Sequence, residues 1–133
     1  NLTSLAEYVE RMKDKQEAIY YIADGSKEEV SSSPFVKRLL KKGYEVLLLT
    51  EAMDEYAISS LFEFEGKKFQ NVAKEGFNLD GDTEAARERR EAVKEKFDSL
   101  TKWLGEDALK DNILHAEVSE RLVDSPCALV TSK

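Results

Sequence analysis

The 133-residue sequence has one cysteine, one histidine, two prolines and no apolar run long enough to span a bilayer. Each scarcity removes a class of function. A lone Cys127 excludes an internal disulfide and any cysteine-rich zinc site. A lone His115 stands at no recognisable spacing from a serine or cysteine nucleophile, so it reads as a surface or helix-end residue. Basic residues are outnumbered, 20 against 27 acids, and the net charge is −7. The lysines and arginines lie among acids without forming a continuous basic face, which argues against nucleic-acid binding. Lys41-Lys42 and Lys67-Lys68 read instead as solvated helix and turn ends. No segment carries the pattern of a transmembrane helix, and no basic-then-apolar signal opens the sequence. A glycine-rich phosphate loop is also missing.

What remains is enough for a core: 41% of residues are hydrophobic, against 35% charged, which predicts one compact domain plus a helical extension. Ser4 and Glu7 have capping-box spacing ahead of the stripe Leu5, Tyr8, Val9, Met12, which predicts a first helix. Ala18 to Ala23 is rich in β-branched and aromatic residues and stops at Asp24-Gly25, so it predicts the first strand. Residues 26–42 predict a helix, with Ser33-Pro34 as a second start signal and Gly43 as its stop. Glu45 to Thr50 predicts a strand covered on both faces, 53–61 a short helix, and 68–73 a third strand after a turn at Phe64-Glu65-Gly66-Lys67. The αβαβαβ order calls for crossover connections, hence a small three-layer αβα sandwich with a largely parallel sheet.

The polar stretch 77–82 marks a connector between a unit at 1–76 and a second, truncated domain at 83–133. There Ala86, Val93, Phe97, Leu100, Trp103 and Leu104 mark one helix face ending near Gly105, and Asp107 to Leu114 predicts a short helix. The two runs Val118 to Val123 and Cys127 to Val130, turned at Asp124-Ser125-Pro126, predict a strand pair. In that pair Cys127 would be a small buried hydrophobe rather than a reactive thiolate. An apolar strand at the very end, with no initiating methionine at the start, predicts that the sequence is cut from a longer protein.

Three clusters bear on chemistry. Glu51, Asp54 and Glu55 follow the second strand, where carboxylates can hold magnesium for phosphoryl transfer. The same acids also suit the first turn of the next helix, and with no phosphate loop beside them that reading is preferred. Asp24-Gly25-Ser26-Lys27 lacks the full phosphate-loop pattern and reads as a turn. Phe97 and Trp103 read as packing residues, or as a face for a neighbouring domain or an unfolded polypeptide. Asn1-Leu2-Thr3 matches the glycosylation acceptor, a short motif that matters only in a secretory compartment.

Several segments, in order, resemble the heat-shock-protein-90 chaperones: Tyr8-Val9-Glu10-Arg11-Met12-Lys13, Ile19-Tyr20-Tyr21-Ile22, Ser33-Pro34-Phe35-Val36, Gly43-Tyr44-Glu45-Val46, Asp54-Glu55-Tyr56, Lys74-Glu75-Gly76 and Arg121 to Cys127. The stretch Phe69 to Gly76, Trp103 and Ser125 to Leu129 are more like the endoplasmic-reticulum branch than the cytosolic one. Ala52 stands where the family usually has proline, and Ala57 where cysteine is common.

The resemblance implies the end of a middle domain running into a C-terminal domain. It implies no catalytic residue, nucleotide site or metal site here. ATP and magnesium would belong to an N-terminal domain and the dimer contacts to a later region, leaving this piece monomeric. The implied function is that of a segment of an ATP-dependent chaperone in the endoplasmic-reticulum lumen, or alternatively the cytoplasm. It would couple nucleotide-driven motion to dimerisation and touch partly folded clients, with co-chaperones as further partners. Glu55, Tyr56, Ser59 and Trp103 are the expected client contacts, since a tyrosine ring buries apolar area while its hydroxyl stays wet. Whether Tyr56 is exposed or packs on the sheet is open from sequence, and a purely structural connector is the remaining alternative.

Overall fold

The computed structural model describes residues 2–74, 77, 79 and 83–130. Two compact units emerge, one of Asn1–Phe77 with Leu122–Lys133 and one of Asn78–Arg121.

In the first unit, α1 (Leu5–Glu10) starts at the capping box read from sequence. The Glu7 N–H donates to Ser4 Oγ at 3.2 Å, and the Glu7 carboxylate accepts from the Ser4 N–H at 2.8 Å. These bonds hold the Glu7 carboxyl below its usual range. β1 (Ala18–Ala23) follows as expected, then α2 (Lys27–Ser32), α3 (Pro34–Lys41), β2 (Leu47–Leu49), α4 (Asp54–Leu61), β3 (Glu63–Phe64) and β4 (Lys67–Asn71). The expected 26–42 helix is thus two helices. Pro34 has no N–H to continue the ladder and fixes Ser33 in an extended conformation, so the chain stops and restarts there. α3 closes in a Schellman motif: Tyr44 N–H donates to Leu39 O at 3.0 Å and Gly43 N–H to Leu40 O at 2.9 Å, with Gly43 at φ 77°. The Lys13 ammonium donates to Lys42 O at 2.6 Å, adding a cation to the same helix end.

The sheet order is β2-β1-β4-β3, with β1 parallel to both β2 and β4 and β3 antiparallel to β4. This is the expected α/β class with a largely parallel sheet. Ala18, Ile19, Tyr20, Tyr21 and Ile22 are all buried, so both faces of the central strand are covered, as its unbroken apolar run requires. β2 departs from expectation: it is half-buried rather than enclosed, because it is an edge strand with one neighbour. β3 is not expected from the sequence, which places Phe64 and Lys67 in the turn rather than in paired strands. It pairs with β4 through the two-residue loop Glu65-Gly66, both residues at positive φ (49° and 74°), the geometry that matches strand twist. Lys67, Phe69 and Asn71 then alternate inward.

One polar group is enclosed with its partners. Tyr8, 2% exposed, donates its hydroxyl to Glu45 O at 2.8 Å and accepts from Gln16 Nε2 at 2.9 Å and Tyr20 N–H at 3.2 Å. Tyr20 meets Tyr44 and Phe77 edge-to-face, each at 5.6 Å.

Burial raises the phenols of Tyr8, Tyr20 and Tyr21. Tyr20, further raised by Tyr44, Tyr8 and Glu17, is pushed up to about 12. Folded pKa values above the unfolded value mean stability that is intact below about pH 10 and lost as pH rises toward 12. Tyrosinate absorbance recorded with circular dichroism should therefore show these three phenols ionising together with unfolding. Gradual titration in a fully folded chain would contradict it.

In the second unit, the single helix expected from Thr83 to near Gly105 is α5 (Glu84–Lys96) and α6 (Asp98–Trp103), continued by a π-helical turn, Leu104–Ala108. The break is at Phe97 (φ −106°, ψ 9°), whose carbonyl, like that of Asp98, accepts from the Thr101 hydroxyl, a local bond that bends helices. Beyond Ala108 the expected short helix to Leu114 is bends and turns, since the backbone leaves the helical region at Leu109 (φ −126°, ψ 16°).

The expected strand pair at 118–130 is also absent: that stretch contains no helix or strand. β-propensity records fit to a pleated surface, and without a ladder partner it does not make a strand. Cys127 is accordingly exposed, not a buried hydrophobe.

Candidate functional site

α4 buries no residue, although Tyr56, Ala57, Ile58 and Leu61 lie on it. Only Asp54 and Ile58, four apart, are half-buried; Glu55, Tyr56 and Ser59 are exposed. At its start, Glu51 N–H donates to Asp54 Oδ2 at 3.2 Å, so the acids here act on the helix end. The Glu55 charge reaches the sheet, where it adds to burial in raising the Tyr21 phenol. Tyr56 is 71% exposed, which settles the choice left open by sequence: its ring does not pack on the sheet.

Two residues that sequence reasoning passed over extend this surface. Met53, just before α4, is 71% exposed and Phe62, just after it, 78%. Phe62 sits at φ 60°, ψ −51°, a conformation that suits glycine, while its N–H still donates to Ile58 O at 3.3 Å. Its signal in the sequence was a large aromatic in the tight link between helix and hairpin, where a small residue is the natural choice.

Trp103, on α6 of the second unit, is 55% exposed; Phe97 and Leu100 are also exposed, so this face is not packed in the core as read from sequence. Ala86, 1% exposed, is the buried member of that stripe. A cavity of about 320 Å³ in the same unit is lined by Lys94, Asp98, Lys102, Gly105, His115 and Glu117, among others. Lys102 pairs with Asp98 at 2.8 Å, which raises the lysine; His115 Nε2 is 4.0 Å from Glu117 Oε2. Asn1 lies outside the described residues.

In both suspected chemical clusters the side chains bond to nearby backbone. Among the described residues no group of three or more His, Cys, Asp or Glu is placed to hold a metal ion. In the Asp24-Gly25-Ser26-Lys27 turn, Asp24 Oδ1 accepts from Gly25 N–H at 2.7 Å and Ser26 Oγ from Glu29 N–H at 3.2 Å, so these side chains cap and turn the backbone. No described helix is long and apolar enough to cross a membrane.

The first unit is an α/β layer that carries an exposed surface helix, α4. The family model "Hsp90 protein" matches residues 1–133, and the chain belongs to the Hsp90 family of chaperones. It is similar to the "Endoplasmin homolog" of Caenorhabditis elegans, 62% identical over 130 residues, covering 98% of this chain and 17% of the relative. The "Endoplasmin homolog" of Arabidopsis thaliana is 46% identical over 132 residues, 99% of this chain and 15% of the relative. The chain is endoplasmin-like, and it spans less than a fifth of the length of these relatives.

Proposed function

We propose that this chain is the part of an ATP-dependent chaperone that couples nucleotide-driven motion to the dimerisation domain, and that it offers α4 to partly folded clients. The residues assigned to client contact are Glu55, Tyr56 and Ser59, with Trp103 as a contact on the second unit. In this reading the chain binds neither ATP nor magnesium, and both act in another domain of the parent. The parent dimerises through a region outside these residues, and the piece is monomeric and not itself an enzyme. The endoplasmin-like sequence supports the endoplasmic-reticulum lumen as its compartment.

The observation that carries the reading is that α4 fully buries none of its aromatic and aliphatic residues while Tyr56 stands 71% exposed. Exposed apolar surface on an otherwise well-buried unit marks a contact site.

The test is an amide-resolved NMR titration with a destabilised, partly unfolded client, without nucleotide or magnesium. Shifts should concentrate on residues 53–62. Tyr56→Ala should weaken the client about five- to tenfold, the loss of one aromatic anchor, with the melting temperature unchanged. An unchanged affinity would leave a mechanical connector; in a separate titration with magnesium alone, shifts at Glu51, Asp54 and Glu55 would favour the phosphoryl-transfer alternative.

A further inference from the structure

The segment that carries α4 is charged as well as apolar, and its own charge is of one sign. From Thr50 to Gly66 there are five carboxylates, Glu51, Asp54, Glu55, Glu63 and Glu65, and no lysine or arginine. Glu63 sits opposite Lys68 in the hairpin, which leaves Glu51, Asp54, Glu55 and Glu65 to set the local field. Within it lie three large exposed side chains, Met53, Tyr56 and Phe62. Phe62 adds a different kind of observation. An aromatic held at φ 60° costs backbone energy that glycine would avoid, and here the ring recovers little of it by packing, being 78% exposed. A strained, exposed aromatic beside two other exposed apolar groups is the arrangement of a binding anchor.

We infer that the α4 surface selects polypeptide segments that are both apolar and basic. This rests on the client-contact reading above and specifies which clients it takes. Met53 and Phe62 bracket α4. The fitting ligand is an unfolded stretch with large apolar side chains, flanked by lysine or arginine that meets the carboxylates. Clients with acidic flanks are repelled.

Three fluorescent peptides test this against the whole 133-residue chain by anisotropy: two phenylalanines with lysine flanks, the same with glutamate flanks, and lysine flanks around glycine and serine. The lysine-flanked aromatic peptide should bind at least about tenfold tighter than the other two in low salt, an advantage that shrinks as salt screens the carboxylates. Glu51→Gln with Glu55→Gln should remove most of that advantage. Phe62→Gly should weaken the peptide severalfold while the melting temperature holds or rises, which separates loss of an anchor from loss of fold. If both aromatic peptides bind equally and Tyr56→Ala weakens both, α4 is a client surface without charge selectivity and the inference fails alone. If no peptide binds, the client-contact reading fails with it. Unchanged binding by Phe62→Gly removes that residue from the site.

Discussion

Replacing Leu39 by alanine should destabilise the first unit by about 2–5 kcal/mol, whereas the same change at its neighbour Leu40 should cost under about 1 kcal/mol. The two leucines are adjacent on α3, yet Leu39 is 1% exposed and Leu40 53%. Leu39 lies on the buried stripe with Phe35 and Val36, four and three positions before it, so truncation opens a void in a close-packed layer. Leu40 faces water and leaves nothing behind. Leu39 also accepts the Tyr44 N–H that closes the helix, a backbone bond that survives the substitution, so the loss reports side-chain packing alone. Urea unfolding of the two variants is the measurement. Equal midpoints would mean that α3 is rotated from the orientation described here.

The second large effect is expected from a single oxygen. Tyr8→Phe keeps the ring and removes the hydroxyl, which holds three partners at once. Gln16 Nε2 retains the Ala18 carbonyl at 2.8 Å. The Tyr20 N–H, on the central strand, and the Glu45 carbonyl keep no bond to that hydroxyl. With the buried Tyr20 N–H losing this partner at about 1–3 kcal/mol and the Glu45 carbonyl open to water, the loss should be about 1–3 kcal/mol. That is on the order of 10 °C in melting temperature for a unit of this size. A cavity-free deletion this costly is recognisable by calorimetry and by accelerated hydrogen exchange at the Tyr20 amide. A change below about 0.5 kcal/mol would mean that water replaces the phenol there.

Much of the fold was legible because local chemistry and tertiary placement agreed. Ser4 with Glu7, the apolar block 18–23, and Gly43 after an amphipathic run each name a structure that the backbone can begin without distant help. The failures share a cause. Cys127 to Val130 has strand-like side chains, but a strand is made by its neighbour, and the sequence of one segment does not say whether a neighbour comes. Val118 to Val123 fails in the same way. Phe97 was assigned to a continuous helix because periodicity is blind to a threonine hydroxyl four residues on that competes for backbone carbonyls. At the candidate site, the acids of α4 and the ring of Tyr56 were visible in the sequence; their exposure was not, since an aromatic in a helix is as consistent with packing as with solvent. Phe62 was missed because its significance lies in a backbone angle.

The strand order also has a consequence for how the unit is made. β1 leaves the ribosome ahead of both its parallel neighbours, of which one ends at Leu49 and the other at Asn71. The central strand, buried from Ala18 to Ile22 in the folded unit, must therefore wait through about fifty residues of synthesis with at least one side unsheathed, a delay of several seconds at usual elongation rates. Parallel pairing over such a separation is slow to nucleate even once the residues are present. A protein of a chaperone family thus carries, in its own nascent chain, an interval in which an exposed apolar strand needs shelter.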